Sequence, residues 1–112
     1  VKQAAFLLAE KEPLVLGTAL YDRLPIGILN PHQIGSDLVS NALAAHELFK
    51  SNCVVVDFGT ALTFTTVSAS GEILGVSIVP GLKTSIKALT QNTAQLFEVP
   101  LQVPSSVLGK NT

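Results

Sequence analysis

The sequence is poor in charge and in cysteine, and each shortage excludes a class of protein or site. Charged residues make up 13% of the 112 residues, against roughly 25% in a typical soluble domain. The single cysteine, Cys53, cannot form an internal disulfide, which fits a reducing compartment. His32 and His46 have no Cys or His neighbour at metal-ligand spacing, so neither histidine indicates a zinc site.

The chain also lacks a basic cluster and a long apolar run. Its net charge is −1, its lysines are scattered along the chain, and Arg23 is its single arginine. This charge distribution argues against nucleic-acid binding. The hydrophobic fraction is 47%, yet no uninterrupted apolar run approaches the roughly 20 residues that a membrane span needs. The first residues show no targeting pattern. We therefore expect neither nucleic-acid nor membrane binding.

The chain is highly apolar, carries few charges and has no membrane span. These properties favour a segment that is buried within a larger protein. At 112 residues the chain can build one core. It starts at Val1 without a methionine and stops at residues 110–112, where no element visibly closes. We expect an internal segment that packs against further chain.

The most informative residues lie in the stretch 53–66. Small and β-branched residues predict a buried strand that stops at Asp57, and a second β-rich run follows the turn. Gly59 lets backbone approach a ligand, Thr60 offers a hydroxyl and an N–H, and Asp57 offers oxygens. This combination suits a phosphate or a cation at a strand-to-strand turn. An ordinary hairpin with an aspartate at its turn fits these residues equally well.

The remaining pattern predicts an α/β fold. Before the turn we expect a helix over 2–10, a buried strand over 14–16, a helical turn over 19–24, an extended stretch over 25–29 and a helix over 36–50. Ser36 is the expected N-cap of that last helix, whose apolar face ends at Phe49. A meander of strands over 53–56, 62–67 and 73–79 follows. A helix over about 84–96 then follows, capped by Thr84 or Ser85, with Ile86, Leu89, Thr93 and Leu96 on its buried face.

Short motifs spread over roughly residues 13–112 carry a family resemblance. They are Asn30-Pro31, Gly35-Ser36-Asp37, Asp57-Phe58-Gly59-Thr60-Ala61-Leu62-Thr63, Leu74-Gly75 with Ile78, Pro80-Gly81-Leu82, Ala88-Leu89, Thr93-Ala94 with Leu96, and Leu108-Gly109-Lys110-Asn111-Thr112. In this order and spacing they resemble type III pantothenate kinases, the family also called Bvg accessory factor. The resemblance implies ATP-dependent phosphorylation of pantothenate to 4'-phosphopantothenate, the first step of coenzyme A biosynthesis.

The resemblance also implies an architecture and partners. The family has the acetate and sugar kinase/Hsc70/actin fold, two ribonuclease-H-like lobes with the nucleotide between them. On that pattern residues 1–34 end the first lobe, 35–52 form a crossing helix and 53–112 begin the second lobe. Family members are cytoplasmic homodimers that use ATP with magnesium and a monovalent cation, potassium or ammonium.

Site residues follow from the motifs that match. Asp37 matches the general base that takes the proton from the pantothenate hydroxyl, and Asp57 matches the ligand of the monovalent cation. The expected nucleotide contacts are Thr60 and Gly59, and the expected pantothenate contacts are Gly35, Ser36, Asp37, Leu38 and Thr93. Without the resemblance, Asp37 would merely complement a helix dipole and Thr93 would pack at a helix end. Lys83 and Lys87 are expected on a solvated helix face.

The chain departs from the family pattern at several points. Leu38 stands where an arginine is usual, which removes a bidentate donor, and Ile28 and Val76 replace a tyrosine and a glycine. The first phosphate loop, Asp-x-Gly-Asn-Thr, does not occur in the sequence, so we expect the 112 residues alone to be inactive. Two other functions stay open: a non-catalytic regulatory or accessory factor, and a degenerate nucleotide-binding lobe used for assembly.

Overall fold

Residues 2–97 and 99–109, the part of the chain that the computed structural model describes, form helices and one β-sheet. In chain order the elements are α1 (Lys2–Ala9), α2 (Thr18–Tyr21), α3 (Ser36–Phe49), β1 (Cys53–Phe58), β2 (Ala61–Val67), β3 (Ile73–Pro80) and α4 (Leu82–Asn92). The motif residues Lys110 to Thr112 lie outside the described residues. Among the described helices, none is long and apolar enough to cross a lipid bilayer.

The three strands form one sheet in the order β1-β2-β3. Connections as short as Gly59-Thr60 join antiparallel neighbours, because a parallel pair needs a long crossover. The antiparallel meander predicted from the sequence is therefore confirmed, and with it the α/β class. The first strand runs to Phe58, so Asp57 lies inside β1 and the turn itself is Gly59-Thr60.

The chain divides into two compact units. The first contains the residues up to Val56 together with Phe64–Ser77, and the second contains Asp57–Thr63 and the residues from Ile78 onward. The first unit holds the hydrophobic core, whose buried members are Tyr21, Ile26, Val39, Ala42, Val67 and Ile73. The predicted division into lobes at residues 34 and 52 stays a prediction.

Helix α3 supplies the largest share of that core. Its buried residues, Leu38, Val39, Ala42, Ala45 and His46, recur at helical spacing, as the sequence predicted, whereas Phe49 is 65% exposed. The expectation that Ser36 caps the helix is wrong. Gly35 occupies the N-cap position with extended backbone, and Ser36 is already helical. At the other end the Lys50 ammonium donates a hydrogen bond to Glu47 (2.9 Å), which lowers the pKa of that carboxyl.

Three further predictions about buried elements are wrong. Residues 14–16 are irregular rather than a buried strand, and Leu14 is 86% exposed. Helix α4 is capped by Gly81 rather than by Thr84 or Ser85, and it ends at Asn92 rather than near Leu96. None of its residues is buried. In the sheet, no residue of β1 is buried: Cys53 and Val55 are partly exposed, and the other four residues are exposed.

Candidate functional site

In the second unit, the Gly59-Thr60 turn and the beginning of α4 line a cavity of about 520 Å³. The lining residues are Phe58, Gly59, Thr60, Leu62, Gly81, Leu82, Lys83, Thr84 and Leu101. Small-molecule pockets in proteins usually measure roughly 300–1,000 Å³, so the space suits a ligand of nucleotide size. Gly59 and Thr60, the two residues that the motif assigned to nucleotide binding, thus share one cavity.

Hydrogen bonds join the turn to the segment that leads into α4. The carbonyl oxygen of Thr60 accepts one bond from the Gly81 N–H (2.9 Å) and another from the Thr84 hydroxyl (3.0 Å). Gly81 approaches so closely that a Cβ there would collide with the carbonyl oxygens of both turn residues. A larger residue at position 81 would therefore push α4 away from the turn.

The chemistry of this cavity favours an anion. The first N–H groups of a helix have no partner within the helix, and together with the helix dipole they attract negative charge. Gly81 and the first residues of α4 line the cavity, and the exposed Lys83 adds a positive charge there. The Thr60 hydroxyl adds a donor. A phosphate group fits this set of donors.

Three of these residues, Gly81, Lys83 and Thr84, were not recognised as site residues in the sequence. Lys83 is exposed, as expected for a solvated helix face, and it also lines the cavity beside Thr60. The available signal was Pro80-Gly81 directly before a helix, a strand end followed by a glycine N-cap and a lysine in the first turn. That signal shows a helix start but not which turn the helix start faces.

Asp57 lies in β1, in the second unit, and is exposed. Within the described ranges, no group of three or more His, Cys, Asp or Glu side chains is placed to hold a metal ion. A hard cation at Asp57 would thus need backbone, hydroxyl or ligand oxygens beside one carboxylate. The oxygens of Asp57 and Thr60 are of the right chemical kind for potassium, which prefers oxygen donors.

Asp37 lies in the first unit, in the first turn of α3, where its carboxylate is exposed. It folds back over Gly35, so a Cβ at position 35 would collide with Asp37 Oδ1. An exposed carboxylate can accept a proton from an alcohol that approaches it. The structure therefore brings Gly35 and Asp37 into contact, in a place open to a ligand.

The other predicted pantothenate residues occupy varied positions. Ser36 is exposed and its carbonyl accepts a hydrogen bond from Ser40 (2.7 Å), while Leu38 is buried at 7% exposure. Thr93 follows the last residue of α4, and its hydroxyl donates to the Leu89 carbonyl (2.7 Å). That bond matches the helix-end role which the sequence also allowed. Thr93 belongs to the second unit but does not line the cavity at the Gly59-Thr60 turn.

Comparison with known proteins gives one consistent family. The family profile described as "Type III pantothenate kinase" matches residues 1–112. A protein named type III pantothenate kinase from Treponema pallidum subsp. pallidum is 51% identical over 114 residues, covering 100% of this chain and 42% of the relative. The protein of that name from Saccharopolyspora erythraea is 49% identical, covering 80% of this chain and 34% of the relative.

A further relative of that name, from Anaeromyxobacter sp. (strain K), is 44% identical over 92% of this chain and 41% of its own length. The chain thus spans about two fifths of the length of the curated relatives that it matches.

Proposed function

The chain belongs to the type III pantothenate kinase family, and we propose that it forms the middle part of an enzyme that phosphorylates pantothenate with ATP. The product would be 4'-phosphopantothenate, and the reaction the first step of coenzyme A biosynthesis. The observation that carries the proposal is the match to the family over residues 1–112. The anion-suited cavity at the Gly59-Thr60 turn supports it independently.

We place the nucleotide phosphates in that cavity. Their oxygens would accept hydrogen bonds from Thr60 and from the first N–H groups of α4, and Lys83 would offset their charge. Phosphoryl transfer depends mostly on positioning and charge neutralisation, so these contacts are what this unit would contribute. Magnesium would accompany the nucleotide and offset the charge on its phosphates.

Asp37 is the proposed general base. The pantothenate hydroxyl oxygen would attack the γ-phosphorus, its proton would pass to the Asp37 carboxylate, and ADP would leave with the electrons of the broken P–O bond. The exposed position of the carboxylate allows an alcohol to reach it. Gly35, Ser36, Leu38 and Thr93 are proposed to contact pantothenate. Leu38 replaces the usual arginine and is 7% exposed, so its contact would be a small apolar surface rather than a bidentate pair.

The remaining family features are also proposals for this protein. Asp57 would hold the monovalent cation, potassium or ammonium, whose charge would draw phosphate oxygens toward the Gly59-Thr60 turn. The whole protein would be a cytoplasmic homodimer built from two ribonuclease-H-like lobes of the acetate and sugar kinase superfamily. The three-stranded antiparallel sheet followed by α4 is the element order with which such a lobe begins.

A coupled assay of the whole protein, with ATP and pantothenate, tests this function. We expect ATP-dependent phosphopantothenate formation, and a loss of about 10²- to 10⁴-fold in kcat for Asp37→Asn, the size of a lost general base. The fold should persist, because Asp37 is exposed. Asp22→Asn, at another exposed aspartate, is the matched control. An unchanged rate in Asp37→Asn would mean that Asp37 only complements the helix dipole. If the wild-type protein binds ATP without turnover, the regulatory function is favoured.

A further inference from the structure

Thr84 directs its hydroxyl to the turn rather than to its own helix. Its Oγ1 donates to the carbonyl oxygen of Thr60, 24 positions earlier in the chain, at 3.0 Å. Threonines in helices usually bond a carbonyl one turn back, as Thr90 in the same helix does with Lys87 at 3.0 Å. The Thr84 bond therefore links the start of α4 to Thr60, which lines the same cavity.

We propose that Thr84 is a positioning residue for the nucleotide, acting through Thr60. Two donors, the Gly81 N–H and the Thr84 hydroxyl, converge on one carbonyl and so fix the direction in which it points. The carbonyl of Thr60 and its Cα are joined by a single rotatable bond, so holding the carbonyl limits how the rest of Thr60 can turn. The hydroxyl and N–H of Thr60 are then held ready for a phosphate oxygen.

This inference rests on the proposed function, because the Thr60 contact with ATP is part of it. Thr84→Val keeps the shape of the side chain and removes the donor, which leaves the Gly81 N–H as the remaining bond to the carbonyl. We expect KM for ATP, and the dissociation constant for ATP measured by calorimetry, to rise about three- to tenfold, the effect of one ordinary hydrogen bond. The KM for pantothenate and kcat should stay within about twofold, since a lost binding contact changes KM alone.

Two variants of the whole protein complete the experiment. Thr84→Ser restores the hydroxyl and should return the ATP constants to within about twofold of wild type. Thr90→Val makes the same chemical change on the same helix, outside the lining of the cavity, and should leave those constants unchanged. Thermal melting of all three variants separates loss of fold from loss of positioning.

The outcomes separate the two proposals. If the wild-type protein binds ATP and Thr84→Val binds it as Thr90→Val does, the positioning role is wrong and the kinase function stands. If Thr84→Ser fails to recover binding, the shape of the side chain matters rather than its hydroxyl, and the inference fails as well. A wild-type protein that neither binds ATP nor forms phosphopantothenate overturns both.

Discussion

Gly35 decides where the carboxylate of Asp37 can lie. The two groups are in contact, and any side chain at position 35 would occupy the place of Asp37 Oδ1. Gly35→Ala should therefore turn the carboxylate away from its present position while leaving the backbone, which is extended there, undisturbed. We expect kcat of the whole protein to fall about ten- to hundredfold, since a displacement of about 1 Å can cost that much.

Gly17→Ala is the matched control for this variant. Gly17 is also the N-cap of a helix with extended backbone, and a Cβ there would have no neighbour within 4 Å. Steady-state kinetics and thermal melting of both variants give the comparison. A Gly35→Ala protein with normal kcat and a raised KM for pantothenate would mean that Gly35 acts only as the proposed pantothenate contact and does not position the base.

Site residues that lie within one motif could be found from the sequence, and those that depend on folding could not. Gly59 and Thr60 stand side by side in the chain, and the structure places both on one cavity. Lys83 and Thr84 line that cavity because the start of α4 returns to the turn, where the Thr84 hydroxyl donates a hydrogen bond to the Thr60 carbonyl 24 positions earlier. A bond of that length depends on how the strands and α4 return on themselves, which no local pattern of residues specifies.

At the scale of elements, the turn between β2 and β3 depends on Gly71. Its φ of +88° lies in the region that favours glycine, and a Cβ there would be 2.9 Å from the Pro25 carbonyl oxygen and 3.2 Å from the buried His46 ring. Gly71→Ala should therefore lower the free energy of unfolding by about 2 kcal/mol, the range for a residue held in a disfavoured backbone conformation. Urea unfolding of the whole protein measures this change.

Gly75→Ala, in the following strand, is the control for that prediction. A Cβ at Gly75 would have no neighbour within 4 Å, and alanine loses less entropy in a strand than glycine. Gly75→Ala should thus be neutral or stabilising by up to about 1 kcal/mol. Equal unfolding midpoints for the two variants would show that the turn adapts to a side chain at position 71.

The elements that the sequence predicted well are those with local signals. The meander follows from alternating β-rich runs separated by turn residues, and Gly71 closes one of those turns. The predicted strand at 14–16 is wrong because a short apolar run does not by itself supply a neighbouring strand to accept its hydrogen bonds. The predicted N-caps are wrong for a different reason. The prediction relies on hydroxyl side chains that could cap a helix, whereas the caps at Gly35 and Gly81 use no side chain.

At the scale of the whole molecule, apolar side chains are exposed where the sequence led us to expect burial. One face of β1 shows this most clearly. Val54 and Val56, two positions apart on that face, are 55% and 43% exposed. Leu74 and Ile78 of β3 are exposed as well. Exposed apolar side chains at alternate positions of one strand, such as Val54 and Val56, are typical of a contact with another part of a protein or with a partner.

If the remainder of the whole protein covers this face of β1, the 112 residues produced alone should bind the dye ANS and form assemblies larger than a dimer, whereas the whole protein should bind no dye and sediment as the proposed dimer. Apolar area left in water favours both, at roughly 25 cal/mol per Å² that becomes buried. Dye fluorescence and sedimentation velocity measure the two effects. Val54→Thr together with Val56→Thr keeps the β-branched shape and adds polarity, so it should reduce dye binding of the short chain. Dye binding equal to that of the whole protein would show that the 112 residues already bury their own apolar faces.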